Sequence, residues 1–128
     1  MSADVKDLEA WPEEIRLSDE GRTLTVKFDN GEEFTYSAEF LRVTSPSAEV
    51  QGHHPSQRKT VPGKRHVKIT KIEPAGNYAV RLFFDDGHDT GIFTWDYFLE
   101  VGRNMERLWD DYLERLKREG LSRDPMAP

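Results

Sequence analysis

The chain contains no cysteine and no long run of apolar residues. The absence of cysteine excludes a disulfide framework, thiolate metal ligands and a cysteine nucleophile. Its longest apolar runs are four residues or fewer, whereas a membrane-spanning helix takes about 20 apolar residues. The first ten residues lack the basic region and the apolar stretch of a signal peptide. We therefore expect a soluble, cytoplasmic protein.

Apolar residues are also scarce, because only 36% of the 128 residues are hydrophobic. This length predicts one domain with a modest core. Acidic residues outnumber basic ones by 24 to 18, which gives a formal net charge of −6. An acidic balance disfavours general binding to nucleic acids, so we expect no nucleic-acid partner.

Common catalytic signatures are absent as well. The sequence has no P-loop, no G-x-G-x-x-G, no G-x-S-x-G and no H-E-x-x-H. It also lacks the His-x-Asp/Glu pair that begins a facial triad for non-haem iron. Catalysis by this chain alone is not expected.

One pattern occurs twice along the chain, in VKFDNGEEFTYSAEFL (26–41) and LFFDDGHDTGIFTWDYFL (82–99). Each copy reads as a strand, an Asp-x-Gly turn, a return strand and a short helix. Ser37 and Asp96 are the expected caps of the two helices. Gly91 is expected to permit a β-bulge in the second copy.

The segment 103–119 predicts an amphipathic C-terminal helix that ends at Gly120. Its apolar residues follow one stripe, made of Met105, Leu108, Trp109, Tyr112, Leu113 and Leu116. The predicted fold class is thus α+β, a small single domain of two β-hairpin–helix units with this helix. We expect a flexible tail over 1–10, the domain over 11–119 and a disordered tail over 120–128.

The segment 50–72 is rich in basic residues and contains no acid. Four of its cations, Arg58, Lys59, Lys64 and Arg65, are candidate anion-binding residues. The segment has no aromatic residue for stacking on bases. A solvated loop that balances acidic surface elsewhere is the alternative interpretation.

A metal site is the second candidate, because imidazole and carboxylate groups bind divalent ions. His88 lies in a turn with Asp86 and Asp89, and His53 is another possible ligand. The same turn is also typical of an ordinary hairpin, in which Asp bonds to the local backbone.

Three motifs together resemble one known family. They are Phe40-Leu41-Arg42, the stretch SPSAEVQGH (45–53) and the unusual stretch DGHDTGIFTW (86–95). The chain resembles the DUF971 family, the gamma-butyrobetaine hydroxylase-like N-terminal domain, over about residues 11–116. The resemblance implies a small α+β domain, found alone or fused to Mrp-type P-loop ATPases that handle iron–sulfur clusters. It also occurs ahead of the catalytic domain of 2-oxoglutarate dioxygenases.

In those dioxygenases, the resemblance implies, the domain holds zinc through three cysteines and one histidine. His88 corresponds to the histidine, whereas Ser45, Ser47 and Val50 stand at the cysteine positions. Hydroxyls are poor zinc ligands, so we expect the zinc site to be lost. Zinc or iron could bind only a degenerate site, with His53 and Asp86 or Asp89 as substitutes.

We therefore hypothesise a non-catalytic accessory or scaffold domain without a cofactor. Its expected partner is a protein: an Mrp-type ATPase, an iron–sulfur cluster protein or an oxygenase, with a homodimer as a further option. The candidate interaction residues are Arg42, Trp95, Trp109 and Tyr112. Trp95 also fits a core position. The apolar stripe of the C-terminal helix, which includes Trp109 and Tyr112, also fits packing on the sheet. Metal binding at His88 and His53, and anion or nucleic-acid binding by the basic loop 58–71, are the alternatives.

Overall fold

Two three-stranded antiparallel sheets form the frame of the domain. The computed structural model describes residues 8–126. The first sheet contains β1 (Pro12–Ser18), β2 (Thr23–Phe28) and β3 (Glu33–Ser37), in that order. The second contains β4 (Ile69–Pro74), β5 (Ala79–Phe84) and β6 (Gly91–Thr94).

Each sheet leads directly into a helix, as the repeated pattern predicts. β3 continues into α1 (Ala38–Val43), and β6 continues into α3 (Trp95–Arg103). A one-turn helix α2 (Ala48–Gln51) follows α1, and α4 (Met105–Glu119) follows α3. Short 3₁₀ turns lie at Asp19–Gly21 and Pro55–Gln57. The α+β prediction of two hairpin–helix units and a C-terminal helix is confirmed.

Local signals set the helix ends. The Ser37 hydroxyl accepts a hydrogen bond from the Phe40 N–H at 3.0 Å, so the predicted cap of α1 is confirmed. The cap of α3 is Thr94, which accepts from Tyr97 N–H, and the prediction of Asp96 is wrong by two positions. Gly120 ends α4 in the left-handed conformation, at φ +69°, where a residue without Cβ avoids strain.

The core lies between the sheets and the helices. Its largest fully buried side chains include Tyr36, Phe28, Phe93 and Phe98. The Tyr36 hydroxyl donates to the Phe98 carbonyl at 2.7 Å and so joins the first hairpin to α3. Within residues 8–126, no helix is long and apolar enough to cross a membrane.

Residues near both ends of the described chain contact the domain. Ala10 is buried in the core, so ordered structure begins before residue 11, while residues 1–7 lie outside the described part. After α4, the Gly63 and Arg65 N–H groups donate to the carbonyls of Ser122 and Arg123. These bonds connect residues 122–123 to the segment before β4, and the disordered tail over 120–128 stays a prediction. Glycine and proline indicate irregular backbone, but backbone hydrogen bonds still hold it in place.

Candidate functional site

A polar cluster joins the α1–α2 connection to the β5–β6 hairpin. Ser45 and His88 are 43 positions apart in sequence, yet Ser45 Oγ lies 2.9 Å from His88 Nε2. Ser45 is fully buried, and only 2% of the His88 side chain is exposed. Glu49, at the start of α2, completes a row, with Oε2 2.9 Å from His88 Nδ1.

The direction of each hydrogen bond in this row follows from Glu49. A carboxylate only accepts, so His88 Nδ1 carries a proton, and in the neutral ring Nε2 is then an acceptor. In that form the Ser45 hydroxyl donates to Nε2, and its oxygen accepts from the Ser47 N–H at 3.3 Å. The contact with Glu49 thus selects one tautomer of the neutral imidazole.

A second row closes the cluster. Thr90 Oγ1 donates to Glu49 Oε2 at 3.1 Å, and Ser47 Oγ donates to Thr90 Oγ1 at 2.7 Å. The Ser47 oxygen in turn accepts from the Glu49 N–H and caps α2. The five residues, Ser45, Ser47, Glu49, His88 and Thr90, are called the polar clasp below. Each of its side chains has a partner within it.

The electrostatics agree with a neutral histidine. Burial lowers the pKa of His88 below its ordinary value, and the Arg42 guanidinium lowers it further, against the opposing effect of Glu49. Beside it, burial would raise the pKa of Asp86. Hydrogen bonds from Lys64, the His88 N–H and Arg42 outweigh that effect and lower it to about 2. At neutral pH Asp86 therefore carries a negative charge, which its two cations, Arg42 and Lys64, offset.

Gly91 gives the clasp the space that it needs. A Cβ at this position would stand 2.6 Å from Ser45 Oγ and 2.9 Å from the Phe93 ring. The β5–β6 register has no shift at Gly91. Just before Gly91 the return strand carries one extra residue, because the Phe84 N–H donates to the His88 carbonyl while Leu82 pairs with Gly91. The predicted irregularity thus lies beside Gly91, and the close approach of Ser45 is what requires glycine at this position.

Ser45, His88 and Glu49 share the connectivity of a hydrolase triad, but their exposure is reversed. In a working triad the serine faces the substrate and the acid is buried. Here Ser45 is fully buried, whereas 61% of the Glu49 side chain is exposed. Ser45 Oγ also accepts a hydrogen bond from the Ser47 N–H. The geometry does not support nucleophilic attack by Ser45.

The clasp does not fit the zinc ion that the family resemblance implies. Both His88 nitrogens already have hydrogen-bond partners, and the neighbouring donors are hydroxyls rather than thiolates. Across residues 8–126, no group of three or more histidine or carboxylate side chains could hold a metal ion. Val50, at the third cysteine position, is an apolar core residue.

The other predicted metal ligands do not join His88. His53 is exposed, and its backbone N–H donates to Gln57 Oε1. Asp89 lies 3.5 Å from Arg81 in an ion pair. Asp86 Oδ2 lies 2.7 Å from both Arg42 Nε and Lys64 Nζ. The predicted ligands are thus separated, and the two aspartates have cation partners.

The predicted anion-binding residues are divided in the same way. Lys64 is paired with Asp86, and Arg65 is paired with Asp124. Lys59 is exposed, and Arg58 lines a cleft beside α4. The four cations therefore do not form one free basic patch, because carboxylates distant in sequence neutralise two of them.

Three of the four predicted interaction residues are not surface anchors. Tyr112 is buried and donates to the Val61 carbonyl, and Trp95 is buried with its Nε1 donating to the Asn77 carbonyl. Arg42 is largely covered and paired with Asp86. Trp109 is half-buried and packs against Phe40, with ring centres 6.5 Å apart.

Trp109 lines a groove of about 630 Å³ between β3 and the beginning of α4. β3 pairs with β2 alone among the described strands, so its outer edge is unpaired. We call this feature the β3–α4 groove; its lining residues are Thr35, Ser37, Phe40, Gly102, Arg103, Met105, Glu106 and Trp109.

Sequence reasoning missed Glu49 and Thr90, the two polar residues that close the clasp. Both lie within the motifs 45–53 and 86–95, but neither motif shows which pairs meet. One signal for Glu49 was present, because a serine two residues ahead of it is typical of a helix start.

The chain is similar to known sequences and structures over most of its length. The sequence model described as "Gamma-butyrobetaine hydroxylase-like, N-terminal" matches residues 15–99. No curated protein matches the chain. One NMR solution structure is 47% identical, with 93% of this chain and 94% of that chain covered and a TM-score of 0.78. A second is 42% identical, with coverages of 99% and 94% and a TM-score of 0.79.

A crystal structure from Acidithiobacillus ferrooxidans is also similar. That protein is described as one of unknown function that belongs to the DUF971 family. It is 38% identical, with 71% of this chain and 91% of that chain covered and a TM-score of 0.58.

Proposed function

Because the chain belongs to the gamma-butyrobetaine hydroxylase-like N-terminal family, and because Ser45 and His88 of its polar clasp are buried, we propose that it is a non-catalytic accessory domain that binds a protein partner. The single observation that carries this proposal is the reversed triad, in which Ser45 is fully buried. This row of Ser45, His88 and Glu49 thus joins two parts of the fold.

The β3–α4 groove is the surface that supports partner binding best. It combines an unpaired strand edge with the apolar side chains of Phe40, Met105 and Trp109. An unpaired edge offers backbone N–H and C=O groups to another extended chain. The occupant we propose is an extended segment of the partner that adds to β3 and places an apolar side chain against Trp109.

The negative charge around the groove indicates which residues should flank the apolar side chain of that segment. Glu106 is exposed beside the groove and has no cation within ion-pair distance among the described residues. The chain as a whole carries a formal charge of −6. A basic residue next to the apolar one would complement both. The family resemblance supports an Mrp-type ATPase, a cluster protein or an oxygenase as the partner, in iron–sulfur cluster assembly or 2-oxoglutarate oxygenase systems.

Substitutions at the groove should reduce partner capture at least tenfold. Thr35→Lys and Glu106→Lys change exposed residues and place positive charge at the groove. Glu114→Lys is the matched control, because it makes the same charge change at another exposed position of α4. The measurement is quantitative pull-down from native extract, with each captured protein identified.

The proposal requires one of the three partner classes to bind the wild type and Glu114→Lys but not the groove variants. Equal capture by all the variants would contradict the groove as the binding surface. Capture of none of these classes would contradict the accessory role. Recovery of a second copy of this chain alone, lost in Glu106→Lys, would replace the partner with a homodimer.

A further inference from the structure

A second cavity, of about 230 Å³, lies on another side of α4. Residues of α1, α2, α3 and α4 contribute to it, together with Arg58. Hydrogen-bonding side chains line it, as do charged groups of both signs; the polar lining residues are Thr44, Gln51, Tyr97 and Asn104, and the charged ones are Arg58, Arg107, Arg115, Glu100 and Asp111.

Arg115 is held in this cleft with unused donors. Its side chain is half-buried, and its Nε is buried without any hydrogen-bond partner. Its Nη1 lies 3.5 Å from Thr60 Oγ1, which is a long distance for a hydrogen bond. A buried N–H without a partner is unfavourable, so a ligand that accepts from it would relieve that cost.

Arg58 brings a second guanidinium to the same cleft. Across residues 8–126, no carboxylate lies within ion-pair distance of Arg58 or of Arg115. Both guanidinium groups line the same cavity. Burial lowers the pKa of Arg115 and the charge of Arg58 lowers it further, whereas the charges of Glu119 and Asp111 oppose the shift. Two unpaired like charges at one cavity create a site for an anion between them.

We propose that this cleft binds a small dianion, a phosphate monoester or a short dicarboxylate, held between Arg58 and Arg115. Guanidinium groups bind phosphate and carboxylate oxygens through two parallel N–H bonds, so two arginines suit a ligand with two negative charges. The cavity volume lies below the range of drug-sized pockets, which favours a compact ligand. The Tyr97 hydroxyl already donates to the Thr44 carbonyl and helps to fix the wall.

The acidic residues of the cleft provide a second test of the proposed anion site. Asp111 Oδ2 lies 3.7 Å from Arg107 Nη1, so these two charges partly cancel. Glu100 is exposed and has no such partner among the described residues. Glu100 opposes an anion in the same cavity, and Glu100→Gln should tighten binding several-fold without a change in size.

The experiment uses the full chain, with inorganic phosphate and succinate added separately at millimolar concentration and constant ionic strength. Binding is followed by the NMR shifts of arginine Nε–H groups and by calorimetry. Arg58→Gln, which changes an exposed side chain, should weaken binding at least tenfold, and Arg115→Gln should do the same. Arg118→Gln, an exposed position of α4 outside the cleft, should bind as the wild type does.

Each outcome of this binding experiment either supports the proposed anion site or overturns it. Binding of phosphate alone or of succinate alone supports the site and selects the ligand class, and binding of both supports their shared chemistry. Absence of binding by either anion overturns the proposal. So does binding that Arg58→Gln leaves unchanged, or that Glu100→Gln weakens in a folded variant.

Discussion

His88→Ala should lower the free energy of unfolding by about 3 kcal/mol. The substitution removes a ring that is almost fully buried and leaves a cavity between the α1–α2 connection and the β5–β6 hairpin. It also leaves the Ser45 hydroxyl, which is fully buried, without its acceptor. Chemical denaturation followed by tryptophan fluorescence measures the loss.

His53→Ala is the matched control for this experiment. His53 has the same side chain and is also a predicted metal ligand, but it is exposed outside the clasp. Its substitution should change stability by no more than about 0.5 kcal/mol. Equal destabilisation by the two variants would indicate a shared site for both histidines. A stable His88→Ala variant would show that the clasp does not hold the fold together.

The triple variant Ser45→Cys, Ser47→Cys, Val50→Cys should gain about one equivalent of tightly bound zinc. The clasp already orients His88 as a zinc histidine is oriented, because Glu49 accepts from Nδ1 and Nε2 faces Ser45. A thiolate and an imidazole on one tetrahedral zinc stand about 3.5 Å apart. The present distance of 2.9 Å therefore has to open by roughly half an ångström.

Elemental analysis of untagged protein measures the zinc content of this variant. The same triple variant with His88→Ala is the control, and it should retain much less metal because it lacks the imidazole ligand. A folded triple variant without zinc would show that these three positions do not converge on His88. That result would contradict the correspondence that the family resemblance implies.

The strands, turns and helices whose signals lie in neighbouring residues could be predicted from the sequence. Asn30-Gly31 marks the first hairpin, where the Gly31 N–H donates to the Phe28 carbonyl. The alternation in both units and the stripe of α4 gave the two hairpins and the C-terminal helix. These features depend on residues that are close in sequence, so one sequence contains their signals.

Contacts between distant segments were not predictable in the same way. The stripe of α4 shows which face is apolar, but not that Tyr112 is deeper than Trp109. Likewise, the motifs contain Ser45 and His88 without showing that their side chains meet. Ser47 and Thr90 pair across 43 positions, and Arg58 and Arg115 line one cavity although they are far apart in sequence. Such pairings depend on how the two units pack, which no local pattern records.

The central claim is that His88, as a neutral imidazole, and the buried Ser45 hydroxyl join the two units of the fold through the polar clasp. The most direct test is a long-range proton–nitrogen NMR spectrum of the His88 imidazole at neutral pH. The account predicts a neutral ring, protonated at Nδ1, with the pKa of His88 below its ordinary value. A charged ring, or a neutral ring protonated at Nε2, would contradict the account.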